Sequence, residues 1–128
     1  MSHTTKSKTV LLAFRRYIDA FNNCDLKEIQ RQLNVNVEVQ CGTIALQGRD
    51  TIIPDYKSDF KIGKQVEVTR GPLLQDNGAT VDVDVTLVAT TPGIEVVQLD
   101  VVYTYDVSSM TQVRHIIDNV KTLSTKHT

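Results

Sequence analysis

The sequence predicts an α+β domain in which N-terminal helices are held inside a curved antiparallel sheet. Three observations carry this reading. Apolar residues of the first half recur at three- and four-residue steps, those of the second half alternate at every second position, and the second-half runs are joined by short turn-forming segments. Helices followed by strands, rather than alternating with them, define α+β.

Residues 1–7, MSHTTKS, are small and polar and are read as a flexible arm; the domain spans 8–123, and 124–128 form a flexible tail. From Lys8, the residues Val10, Leu11, Phe14, Tyr17, Ile18 and Phe21 share one side of a helix, with Arg15, Arg16 and Asp19 opposite. Tyr17 therefore points toward the core. Asn22-Asn23-Cys24 breaks the pattern, and Asp25 with Glu28 forms an Asp-x-x-Glu variant of the capping box, which starts a second helix that buries Leu26, Ile29 and Leu33.

Val35, Val37 and Val39 alternate with Asn36, Glu38 and Gln40 as a half-buried strand, bent or ended at Cys41-Gly42. A short apolar piece, 43–46, leads to Gln47-Gly48-Arg49-Asp50, where Asp50 can cap a third helix. Its stripe is Ile52, Ile53, Tyr56 and Phe60, Pro54 must sit in its first turn, and Gly63 closes it.

The remainder reads as four strands, at 65–74 with a bend at Gly71-Pro72, 80–90, 94–105 and 111–121. Their tight connections imply an antiparallel meander. Val81, Val83, Val85 and Leu87 oppose Asp82, Asp84 and Thr86, while Leu99, Val101, Tyr103 and Tyr105 oppose Gln98, Asp100 and Thr104. The adjacent Val96-Val97 pair slips the phase, and a bulge there would curve the sheet. Such a sheet around the first helix leaves a cone whose wide end can hold a ligand.

Composition narrows the partners. The 128-residue chain has a formal net charge of −1 and scattered Lys and Arg, which excludes a phosphate-tracking stripe and with it nucleic acid. Cys24 and Cys41 lack CxxC or Cys/His ligand spacing, and MSHTTKSK lacks the apolar run of a signal peptide, so a reducing, cytoplasmic setting is expected. No apolar run approaches the roughly 20 residues of a membrane helix. Asp82, Asp84, Glu95 and Asp100 lack ligand-loop spacing, and neither a metal nor a cofactor is expected.

The order of elements, with RRYIDAFNNCDLKEI, VEVQCG, GRDTI and VRHIIDN, resembles the NTF2-like superfamily over most of 8–123, and within it the ketosteroid isomerase and SnoaL-like branches. The resemblance implies an NTF2-like (cystatin-like) cone that binds a small hydrophobic molecule and works, if an enzyme, as a cofactor-free isomerase, cyclase or dehydratase. Tyr17 matches the isomerase tyrosine that hydrogen-bonds a developing enolate oxygen. The family's general-base aspartate falls on the first strand, where the nearest residues are Gln40, which takes up no proton, and Cys41, whose ordinary pKa is about 8.5. Its second donor, a protonated aspartate, aligns with Val101 or, one residue out of register, with Asp100.

Cyclase-type SnoaL-like proteins place an acid on the last strand, where Asp118 is the match; Arg114, Ile116 and Asp118 would then face the cavity. Binary pattern alone buries Val113, His115 and Ile117 instead. Tyr17 and Asp118 are thus the expected catalytic pair. Arg114, Cys41, Tyr56, Phe60, Val101, Tyr103 and Ile116 are the expected ligand contacts, and His115 reads as a core or interface histidine. The competing reading is a non-catalytic homodimeric binding or assembly module, paired through the sheet face of Gln98, Asp100, Val102 and Thr104.

Overall fold

In the computed structural model, which describes residues 3–125, helix α1 (His3–Asn22) buries Val10, Ala13, Phe14, Tyr17, Ala20 and Phe21 along one side. That stripe packs against the sheet, as the three- and four-residue spacing requires. The helix begins five residues earlier than expected. Residues 3–7, read as an arm, are helical, and the Lys6 ammonium group lies 2.9 Å from the Asp76 carboxylate and 2.9 Å from the Gly78 carbonyl. This long-range tie joins the first turn to the turn after β3. Met1, Ser2 and residues 126–128 of the expected tail lie outside the described residues, whereas Ser124 and Thr125 belong to the last strand.

Helix α2 (Leu26–Gln32) is capped as expected, with the Glu28 N–H donating to Asp25 Oδ1 at 3.2 Å. The reciprocal half of the capping box is not made, because the Glu28 carboxylate accepts from Arg31 and Gln32. Strands β1 (Leu33–Cys41) and β2 (Ile44–Gln47) form a hairpin, and α3 (Arg49–Lys61) follows. Two expectations for α3 are corrected. The cap position is Gly48, with Asp50 inside the first turn, where its charge favours the helix N-terminus. Pro54 sits beyond the first turn and leaves one carbonyl of that turn without its usual N–H partner.

Strands β3 (Gln65–Asp76), β4 (Thr80–Thr91), β5 (Glu95–Asp106) and β6 (Thr111–Thr125) form the expected antiparallel meander. The six strands lie in the order β2-β1-β6-β5-β4-β3, with β1 parallel to β6, so the curved sheet is mixed. Gly71 interrupts the β3 register; its φ is +88°, and a Cβ there would come within 2.5 Å of the Asp84 carbonyl oxygen.

The face of β4 and β5 toward α1 carries Val81, Val83, Val85, Leu87, Val101, Tyr103 and Tyr105, all buried. On the outer face Thr104 donates to Asp82 at 2.7 Å, Arg70 pairs with Asp84 at 2.9 Å, and Thr86 and Asn119 donate to Asp100 at 2.6 and 2.8 Å. The β5–β6 pairing shifts register at three places, between Val96 and Val97, Gln98 and Asp100, and Thr104 and Tyr105. At each place β6 advances one residue more than β5, so the extra residue lies in β6. Bulges of this kind bend the bulged strand and curl the sheet around the helix. The slip expected in β5 at Val96-Val97 thus sits across from it, in β6.

Candidate ligand cavity

Between α1, α3 and the concave face of the sheet lies a cavity of about 500 Å³. Its walls are largely apolar: Ile18 and Phe21 come from α1, Ile52 from α3, Val39 from β1, Leu87 from β4, Leu99 and Val101 from β5, and Ile117 from β6. The exposed members of the lining, Leu46, Asp55, Val120 and Thr122, mark the open end. There the Lys64–Asp59 ion pair, at 3.0 Å, is half-exposed.

The closed end is polar and aromatic. The hydroxyls of Tyr17 and Tyr56 share a hydrogen bond of 2.6 Å, in which either can donate. The Tyr103 ring stands edge-on to Tyr17 with centroids 5.3 Å apart, and the His115 ring lies 4.7 Å from Tyr103 and 6.3 Å from Tyr17. Burial raises the Tyr17 pKa well above the ordinary value, and the neighbouring Tyr103 and Tyr56 raise it further. Burial likewise raises Tyr56 and Tyr103 and pushes His115 down to about 3. All four groups are therefore neutral near pH 7, and the end of the cavity offers hydrogen bonds without charge.

Behind His115 runs a buried chain of polar side chains. His115 Nε2 is 2.5 Å from Gln112 Oε1, Gln112 Nε2 is 2.8 Å from the Tyr105 hydroxyl, and that hydroxyl is 2.7 Å from Gln32 Oε1. Gln32 Nε2 reaches the Ala13 carbonyl at 2.7 Å and the Glu28 carboxylate at 3.1 Å. The chain ties β6, β5, α2 and α1 together.

The structure brings Tyr17, Tyr56, Val101 and Tyr103 onto the cavity and leaves other expected residues off it. Phe60 stands behind the wall, packed on Phe21 and Tyr56 at 5.5 and 6.4 Å. Cys41 is half-buried at the end of β1, two residues beyond the lining residue Val39. Arg114, Ile116 and Asp118 are corrected to the outer face, with Arg114 and Asp118 exposed. The register decides this: His115 pairs with Tyr103 and Ile117 with Val101, so the odd-numbered residues of this segment share the inner face. Val101 rather than Asp100 faces inward for the same reason. His115, read from the sequence as a core or interface histidine, lies on the cavity wall; its polar support, Gln112, Tyr105 and Gln32, comes from three elements, so no local pattern in the sequence marks it.

The chain has the NTF2-like, or cystatin-like, fold. It is similar to an NTF2-like protein of unknown function from Cytophaga hutchinsonii, at 13% identity over 85% of this chain and 88% of that one, with a TM-score of 0.66. An LEH-like epoxide hydrolase of M. tuberculosis matches at 18% identity over 85% and 82% of the two chains, with a TM-score of 0.65. SalBIII, an epoxide hydrolase/cyclase-like enzyme in pyran ring formation in the polyether salinomycin, matches at 15% identity over 87% and 90%, with a TM-score of 0.66. No protein-family model matches the sequence, and no curated protein does. At these identities the likeness establishes the fold.

Proposed function

We propose that this chain is a SnoaL-like small-molecule-binding protein whose ligand is small and largely apolar. The observation that carries the reading is the Tyr17–Tyr56 hydroxyl pair at the closed end of an apolar cavity of about 500 Å³. One hydroxyl of the pair spends its proton on the other. The second keeps a proton that a ligand oxygen can accept in place of the neighbouring Tyr103 hydroxyl, in surroundings where water competes poorly.

Isomerase, cyclase or dehydratase chemistry is the finer reading, supported by the same donor and by the likeness in fold to an epoxide hydrolase and an epoxide hydrolase/cyclase-like enzyme. Tyr17 then holds the oxygen at which negative charge develops. Asp118 is not the proton carrier, since it lies on the outer face. Asp55 of α3 borders the cavity and is the carboxylate to test in that role.

Saturable binding of Nile red, displaced by 2-decalone, tests the binding reading, with Val101→Trp as the variant that fills the space. Displaceable binding to the wild type and none to the filled variant supports it. Equal binding by both sinks it.

Self-association through the outer sheet face is a separate and compatible proposal. Its support is the half-buried cross-strand pair Val102 and Ile116, set among Arg70, Asp84 and Asp100.

A further inference from the structure

The protons of the buried chain that ends at His115 can be placed from its far end. The Ala13 carbonyl only accepts, and so does the Glu28 carboxylate, which Arg31 holds ionised; the Gln32 group facing them is therefore the amide NH2. Its Oε1 faces the Tyr105 hydroxyl and takes that group's single proton. The Tyr105 oxygen then accepts, so Gln112 presents its NH2 to it. This leaves Gln112 Oε1 against His115 Nε2, and two lone pairs make no hydrogen bond, so Nε2 carries the proton. The imidazole lone pair is on Nδ1.

Among the described residues no fully buried side-chain nitrogen or oxygen lacks a partner, yet no side chain or backbone group bonds Nδ1. Nδ1 is therefore open to space, and the space that His115 borders is the cavity.

We infer that His115 Nδ1 is the hydrogen-bond acceptor of the ligand site, and that the ligand is an uncharged, mostly apolar molecule carrying a hydroxyl group. The inference rests on the ligand-binding reading above. A hydroxyl accepts from the Tyr17–Tyr56 pair and donates to Nδ1, which neither a ketone nor an ether does. An apolar group placed there strips Nδ1 of water and returns nothing, which is how a built polar site rejects an analogue without the hydroxyl. A charged ligand group is disfavoured at this end of the cavity, because the rings beside His115 are the neutral Tyr17 and Tyr103 and the next pair on the inner face is the apolar Val101 and Ile117; of the charged lining residues Asp55, Asp59, Lys64 and Glu95, Asp59 and Lys64 are paired with each other and Asp55 lies at the open end. Burial keeps the imidazole neutral, so His115 recognises a proton donor and is a poor proton acceptor in the chemical sense.

The test is a calorimetric titration of 2-decalol, 2-decalone and 2-methoxydecalin, which share one skeleton, into wild type and His115→Phe. The expected result is that wild type binds the alcohol about tenfold more tightly than the ether, and that His115→Phe reduces the advantage to about twofold or less. Equal binding of alcohol and ether to wild type overturns the inference and leaves the cavity reading standing, as does an undiminished preference in the variant. Binding of none of the three overturns both. Nitrogen-15 NMR of the wild-type imidazole gives an answer that does not depend on the variant folding: Nδ1 is expected as the unprotonated, pyridine-type nitrogen whose resonance moves on adding 2-decalol, and a protonated Nδ1 overturns the inference.

Discussion

Tyr17 and Tyr56, 39 positions apart on α1 and α3, meet through a hydroxyl–hydroxyl bond of 2.6 Å at the closed end of the cavity. Tyr17→Phe removes one partner while keeping the ring contacts with Phe14, Tyr103 and Tyr56. The expected loss is about 1 kcal/mol in urea unfolding with an unchanged far-ultraviolet spectrum. Tyr17→Ala, which also empties ring volume, is expected to cost about 3–5 kcal/mol.

All four tyrosines of the chain have raised pKa values, burial being the first cause in each. Ultraviolet titration should therefore show no phenolate step near pH 10 in the folded protein. Above pH 10 the unfolded chain has lost tyrosine protons that the folded chain keeps, so stability falls as pH rises. A normal phenolate step without unfolding would contradict the buried cluster.

His115 works in the other direction. Its folded value of about 3 lies below the ordinary 6.5, so below pH 6.5 the unfolded state binds a proton that the folded state refuses. The stability is complete above pH 6.5 and is lost progressively toward pH 3. At pH 5 the loss is roughly 2 kcal/mol relative to pH 7, before discounting for water in the cavity. His115→Phe should flatten the urea-midpoint profile between pH 7 and 5; Glu28, Asp100 and Asp106, whose pKa values are lowered by hydrogen bonds, contribute only at lower pH.

Gln112→Leu leaves the Tyr105 hydroxyl and His115 Nε2 without their shared partner inside the protein. A loss of about 1–3 kcal/mol is expected in chemical unfolding. A neutral effect would mean that the polar chain is not held as described.

The outward face makes a contrasting prediction. Asp118→Asn and Arg114→Ala should leave affinity for 2-decalol within about twofold, since no ligand atom in the cavity reaches them. Ile116→Lys should leave that affinity alike and convert a sheet-paired dimer to monomer in sedimentation velocity. A monomeric wild type at all concentrations would count against the pairing.

Much of the fold was legible because it is written in local periodicity. The α1 stripe, the alternation of β4 and β5, the Asp25 cap and the Gly63 terminus follow from neighbours in sequence, and Tyr17 was placed correctly by its position on the stripe. What the sequence hid depends on distant partners. The Lys6–Asp76 pair orders a segment whose composition looks like an arm, and the parallel β1–β6 pairing joins strands with no short connection. The last strand is the instructive failure: with three bulges, its facing cannot be counted from one end, and the cyclase register put Arg114 and Asp118 inside. The rival alternation, His115 and Ile117, held locally. His115 then looked like packing because its polar support, Gln112, Tyr105 and Gln32, is spread over three elements.

The most direct test of the central claim is an NMR titration of wild type with 2-decalol, read at the side chains of Tyr17, Val101, Ile117 and His115 against Arg114 and Asp118 as outward controls. Saturable shifts confined to the first four, abolished by Val101→Trp, are the predicted result. Shifts at Arg114 and Asp118 with none at Tyr17 and His115, or no saturable shifts at all, would contradict it.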